Sequence, residues 1–275
     1  MKKSHRILLI SALGCALLGS LLIGFGISAG GVRGIRSLNG KVERKEVPLD
    51  RVTSLTIKAE IKDIQIRRTA DKQASLIYYK KEKESFSHDL SDGKLTINQT
   101  NNSDVIGFNI TTFFGWLQNH EADKLVINLP KDTSLKDVAI DADAGNLTLE
   151  NQSISTFHLE QDLGDVTIKN SLLSNANIKV DSGNLNLDNL QIDSGKIDTN
   201  LGDLSATNLT INKALAVNTD MGNTAIALSP KSKAETSVTA TVDLGDKKIS
   251  SDLIQGKAGK SQLTIEGDTG DIEVN

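Results

Sequence analysis

The sequence predicts an all-β fold: a parallel β-helix or β-solenoid of about seven coils, 19–25 residues each. An atypical β region starts and caps the stack, and one transmembrane helix precedes it. Three observations lead there. A turn phrase recurs seven times, as Asp143-Ala144-Gly145-Asn146, Asp162-Leu163-Gly164-Asp165, Asp181-Ser182-Gly183-Asn184, Asn200-Leu201-Gly202-Asp203, Asp220-Met221-Gly222-Asn223, Asp243-Leu244-Gly245-Asp246 and Asp268-Thr269-Gly270-Asp271. Its glycines are spaced 19, 19, 19, 20, 23 and 25 residues apart. Runs of period-two apolar alternation flank the phrase, and only 3% of the chain is aromatic, as a narrow core requires.

Each coil is read from its own residues. Around Gly183, Ala176-Asn177-Ile178-Lys179-Val180 leads into the turn and Leu185-Asn186-Leu187 leads out. A third apolar point follows nine residues after the glycine, at Ile154, Leu173, Ile192 and Ile211. Two or three short strands per coil result. Neighbouring coils pair in parallel, and the inward side chains stack into one core. The phrase itself is a corner, because glycine reaches positive φ without a Cβ penalty and Asn or Asp hydrogen-bonds locally in turns. The Asp two places before the glycine is expected to accept backbone N–H bonds across it.

Stacked carboxylates also invite a cation reading. Calcium needs six to eight converging oxygens. A corner offers one Asp and one Asn or Asp, and Asn200 breaks the first series. The glycine-rich nonapeptide of calcium-binding β-rolls is absent. Turn chemistry accounts for these residues, and folding without metal is the expectation.

The chain begins with a basic lead, Lys2, Lys3 and Arg6, followed by 21 uncharged residues from Ile7 to Ile27. That length spans a bilayer core at 1.5 Å per residue. Residues 1–29 are read as an uncleaved anchor with a cytoplasmic N-terminus and the bulk of the chain extracellular, a single-pass protein of the cell membrane. A signal peptide cut near Ser28-Ala29-Gly30 and a lipoprotein attached at Cys15 are the alternatives. Residues 30–46 form a basic juxtamembrane linker, either a solvated tether or a segment drawn to anionic lipid or wall polymer. Cys15 is the single cysteine, so the chain forms no internal disulfide.

Residues 47–130 read as the starting and capping β region. Leu55-Thr56-Ile57-Lys58 and Ile61-Lys62-Asp63-Ile64-Gln65-Ile66 alternate, and Lys62-Asp63 stands where a repeat would have its glycine. Within this region lies an aromatic insertion, residues 101–120. It holds Phe108, Phe113, Phe114 and Trp116, four of nine aromatic residues. It is read as a lid over the first coil or as a contact surface for a partner or the outer leaflet. Residues 131–275 carry the repeats.

Formal net charge is −4, and residues 1–46 alone carry eight Lys/Arg against two Asp/Glu. The acidic remainder argues against nucleic acid as a partner. His5, His88, His120 and His158 lack metal-ligand spacing, and the sequence holds no nucleophile motif, P-loop or dinucleotide fingerprint. No catalytic, cofactor-binding or metal-ligating residue is assigned, and no small-molecule substrate is expected.

Ser54-Leu55-Thr56-Ile57, Asp63-Ile64-Gln65-Ile66, Lys94-Leu95-Thr96-Ile97, Val126-Ile127-Asn128-Leu129-Pro130, the stretch Leu135 to Ile140 and the Gly-Asn or Gly-Asp phrases occur in order. Together they resemble the bacterial putative-adhesin β-solenoid domain family, a domain of unknown function, over roughly residues 50–275. The resemblance implies a membrane-anchored Gram-positive envelope protein without an established active site, some members being associated with envelope-stress operons. The glycine-free first unit and the aromatic insertion depart from the pattern. The expected function is a non-enzymatic, membrane-anchored envelope protein presenting a β-solenoid for binding or adhesion, with an envelope protein or cell-wall polymer as partner. An envelope-stress sensor acting through a membrane protein and a carbohydrate-active β-helix enzyme are the rival readings.

Overall fold

The computed structural model describes residues 42–80, 84–101, 123–255 and 259–275. Among them run nineteen strands and one short helix. The first group is β1 (Glu43–Leu49), β2 (Ser54–Ile61), β3 (Asp63–Thr69), β4 (Ala74–Lys80), β5 (Glu84–Ser91), β6 (Lys94–Asn101) and β7 (Lys124–Pro130). The middle of the chain forms β8 (Leu135–Ala144), β9 (Leu147–Glu150), β10 (Ser153–Leu163), β11 (Val166–Ser182), β12 (Leu185–Leu201), β13 (Leu204–Met221) and β14 (Thr224–Leu228). Helix α1 (Pro230–Glu235) follows, then β15 (Thr236–Leu244), β16 (Lys247–Ile249), β17 (Ile254–Gln255), β18 (Ser261–Thr269) and β19 (Ile272–Val274).

The solenoid expected from the repeat is the fold observed. From β8 to β14 the coils stack in chain order with parallel pairing at a 19- or 20-residue offset. Alternate side chains of each strand point inward and form columns. One column runs Leu147, Val166, Leu185, Leu204; another runs Ile140, Leu159, Ile178, Ile197. All eight are buried. Ile154, Leu173, Ile192 and Ile211 are buried as well, which fits the third apolar point of each coil. Phe157 enters this narrow core because the residues stacked on it in the next two coils are Ala176 and Gly195. A large side chain therefore sits over small ones, and packing density is kept.

Both ends depart from simple sequential stacking. The Gly245 coil does not lie between those of Gly222 and Gly270. Strand β18 inserts between β13 and β15, and β19 inserts between β14 and β16. The last coil in sequence is thus the penultimate one in space. The beginning is arranged likewise: β2 lies between β6 and β8, and β3 between β7 and β9. The Lys62-Asp63 unit is a true coil of the stack, as its alternation suggested. Beyond it β6 and β7 supply a further coil, so the stack exceeds the expected seven.

The two ends are closed differently. At the first, β4, β1 and β5 add in antiparallel fashion. Tyr78 and Phe86 stack there with centroids 4.0 Å apart, and they pack with Val47 and Leu90 on the core. At the last, the apolar column of Leu147 and Leu185 ends in Lys247, whose Nζ donates to the Ala240 carbonyl at 2.9 Å. A lysine in a core column stops another strand from adding, which is how exposed sheet ends are kept monomeric. Helix α1 interrupts the repeat after β14. Ser229 caps it and Pro230 opens it, the pairing that a helix start favours.

Among the described residues no helix is long and apolar enough to cross a membrane. The expected anchor at 7–27, the linker up to residue 41 and the aromatic insertion lie outside the described residues, apart from Asn101.

Candidate functional site at the glycine corners

The corners form one continuous edge. Gly145, Gly164, Gly183, Gly202, Gly222, Gly270 and Gly245 have φ between 125° and 151°. A Cβ on Gly183 would sit 2.1 Å from the Gly164 carbonyl oxygen, and the other corner glycines are equally tight. Two constraints therefore demand glycine: the dihedral and the close approach of the neighbouring coil. Lys62 escapes the first, having no positive φ. Its side chain turns inward and meets Glu84 at 2.7 Å, with both side chains buried.

The backbone ladder continues through the bend. Gly164 N–H donates to Ser182 O at 2.9 Å, and Gly183 N–H to Leu201 O at 2.9 Å. A second ladder runs through the residue after each glycine. Asp63 Oδ1 accepts from Asn146 N–H, Asn146 Oδ1 from Asp165, Asp165 from Asn184, Asn184 from Asp203, and Asp203 from Asn223. It ends with Asn223 accepting from Asp271 and Asp271 from Asp246. This corrects the expectation that the Asp before the glycine holds the turn. The preceding residue points outward at the end of its strand, whereas the following one faces the next coil's amide. In spatial order the ladder alternates Asp, Asn, Asp, Asn, Asp, Asn before two final Asp residues. Either side chain offers the same Oδ1 acceptor. Alternation roughly doubles the spacing between charges from about 4.8 Å, which weakens their repulsion.

The Asp before the glycine builds a parallel acidic rank: Asp143, Asp162, Asp181, Asn200, Asp220, Asp268, Asp243 in spatial order. Asn200 Nδ2 donates to Asp181 Oδ1 at 2.8 Å. Desolvation, with Asp162, Glu60 and Asp141 nearby, raises the pKa of Asp143 above the usual carboxylate value. Among the described residues no three His, Cys, Asp or Glu side chains converge to hold a metal ion.

Between the two acidic ranks stands a third, formed by the residue just before each glycine. Leu163, Ser182, Leu201, Met221, Thr269 and Leu244 lie in register on successive coils. Leu163, Leu201, Met221 and Leu244 are 56%, 50%, 54% and 69% exposed. They are the large apolar side chains left most open on the described surface. Sequence reasoning passed over this rank because the phrase was read only as a turn. The signal was present in the recurrence of Leu163, Leu201, Met221 and Leu244 one place before a turn glycine.

A second asparagine series was also missed. Asn151, Asn170, Asn189 and Asn208, again 19 apart, take φ of 48–58° at the opposite bend of the coil. Asn208 Nδ2 donates to Asn189 Oδ1, and Asn189 Nδ2 to Asn170 Oδ1. Elsewhere, the loops 50–53, 70–73 and 131–134 border an open groove of 760 Å³. Three basic and three acidic side chains line it, a balance that selects no ligand charge.

A family model described as Toastrack DUF4097 matches residues 52–275. No curated protein matches the chain. Among solved structures, a putative adhesin from Bacteroides fragilis is similar at TM-score 0.54 and 15% identity, over 86% of this chain and 97% of that one. Putative adhesins from Parabacteroides merdae and Parabacteroides distasonis are 13% and 12% identical, each with a TM-score of 0.45. They cover 85% and 86% of this chain, and 97% and 98% of their own. For the Bacteroides fragilis structure the likeness is one of fold.

Proposed function

The chain belongs to the Toastrack DUF4097 family, and from that premise we propose a non-enzymatic adhesion or binding protein of the cell envelope. Its β-solenoid is a rigid scaffold that presents the glycine-corner edge to a partner. The observation that carries this reading is the exposed rank Leu163, Leu201, Met221 and Leu244. The other apolar columns of the described coils are turned inward, and an outward file of four large apolar side chains, interspersed with Ser182 and Thr269, marks an interaction surface. The scaffold suits the task, because a coil bonded to its neighbours on both sides holds the rank straight without a partner's help. The description of the Bacteroides fragilis relative as a putative adhesin accords with it.

The apolar run from Ile7 to Ile27 supports a membrane tether, with the solenoid outside the cell and the basic linker between. Cells displaying the full chain are compared with cells displaying a variant with serine at 163, 201, 221 and 244. The reading expects equal display and loss of binding to the cell's surface partners. Unchanged binding would refute it.

A further inference from the structure

The occupant of the corner edge is specified by its charge and shape. The rank is one side chain wide, with Ser182 and Thr269 set among its four large apolar residues. From Leu163 to Leu244 it crosses five inter-coil steps, about 24 Å at 4.8 Å each. Carboxylates flank it on both sides, Asp220 and its rank on one and Asp203 and its rank on the other. An extended strand has only two faces, so an apolar face would leave its charges pointing away. An α-helix presents an apolar stripe with polar residues on either side of it. About 16 residues of helix cover 24 Å at 1.5 Å rise.

We propose that the corner edge binds a cationic amphipathic helix, with a narrow apolar stripe on Leu163, Leu201, Met221 and Leu244 and lysine or arginine side chains on the flanking carboxylates. This rests on the reading of the edge as the binding surface and adds the chemistry of the partner. Long basic side chains lay their methylenes along apolar surface while reaching outward to charge, so they fit the gap between the ranks. A second copy of this solenoid edge is the less fitting occupant, since it would set acidic ranks against acidic ranks.

The test uses the full-length protein in an uncharged detergent and an 18-residue leucine–lysine peptide with a single leucine stripe. A scrambled peptide of the same composition and a leucine–glutamate version are the controls. Binding is measured by fluorescence anisotropy. The stripe peptide is expected to bind at least tenfold more tightly than either control, and more weakly as salt rises. The L163S/L201S/M221S/L244S variant should lose at least tenfold. Asp203→Asn with Asp220→Asn is a gentler second variant, since Asn184 and Asn200 already occupy those two ranks. It should lose several-fold with folding kept. Equal binding of the scrambled peptide, indifference to salt, or no loss in either variant would overturn the proposal. Sedimentation of the wild type as a dimer that the serine variant abolishes would assign the edge to a second copy and overturn it as well. Failure of the peptide while the serine variant still loses surface binding on cells would sink this inference and leave the binding edge standing.

Discussion

Asp271 donates its backbone N–H to Asn223 Oδ1 at 3.0 Å across 48 residues of chain. That bond places the C-terminal coil inside the stack, beneath the coil of Gly245. The terminus is therefore zipped on both sides: Asn275 N–H donates to Ile226 O on β14, and Val274 O accepts from Ser250 N–H just after β16. Ile265 is fully buried although it lies close to the end of the chain. Ile265→Ala should destabilise the protein by about 2–5 kcal/mol, as a central core truncation does. Denaturant unfolding checks this against Ile178→Ala. A cost near that of a frayed terminus would mean the last coil is only loosely added.

The corner glycines predict a second effect. Gly183 combines φ of 144° with a neighbouring carbonyl where its Cβ would be. Gly183→Val, and even Gly183→Ala, should cost roughly 3 kcal/mol or more, since strain at such φ and overpacking each contribute about 1–3 kcal/mol. Thermal melts report it. A loss comparable to an exposed loop substitution would contradict the close stacking.

The buried pair of Lys62 and Glu84 replaces the corner glycine of its coil. Neutralising one partner breaks this buried pair, so Glu84→Gln should destabilise by about 3–5 kcal/mol. Lys62→Met with Glu84→Leu should recover much of that loss, because an apolar pair of similar volume carries no desolvation cost. A double variant as unstable as the single one would show that this corner depends on its charged groups and not on buried volume.

Asp143 gives a pH signature. Its folded-state pKa is raised by desolvation first and by Asp162, Glu60 and Asp141 next. The native state then takes up the proton before the unfolded chain does. Stability contributed in this way is lost as pH rises through the window above the ordinary carboxylate value of about 4. Asp143→Asn, which repeats the residue found at Asn200, should raise the melting temperature at pH 7. The difference should shrink as the pH falls toward 4. No gain at pH 7 would contradict the like-charge crowding at this end of the edge.

How much of this was legible beforehand follows from what a period can encode. The regular glycines at Gly145, Gly164, Gly183 and Gly202 revealed the coil, its parallel pairing and its buried columns, because a fixed spacing places equivalent residues on top of one another. The swapped order of the Gly245 and Gly270 coils was not legible. Both carry the same phrase, and nothing local says which of two equivalent corners meets Gly222. The turn chemistry was half legible: Asn and Asp were recognised as corner residues, but the inter-coil bond from Asp165 N–H to Asn146 Oδ1 depends on which side chain faces the next amide. The exposed rank was hidden by its own position. Leu201 ends an alternating strand, and alternation alone counts it as another apolar residue of the core.

The claim that the glycine-corner edge meets the partner is tested most directly by site-specific photocrosslinking in the protein's own cell. A photoreactive residue replaces Leu201 on the exposed rank in one full-length variant and Asn186, outward on the flat face of the same coil, in another. The account predicts discrete adducts from position 201 and none from position 186. Adducts from 186 alone, or equal adducts from both, would contradict it.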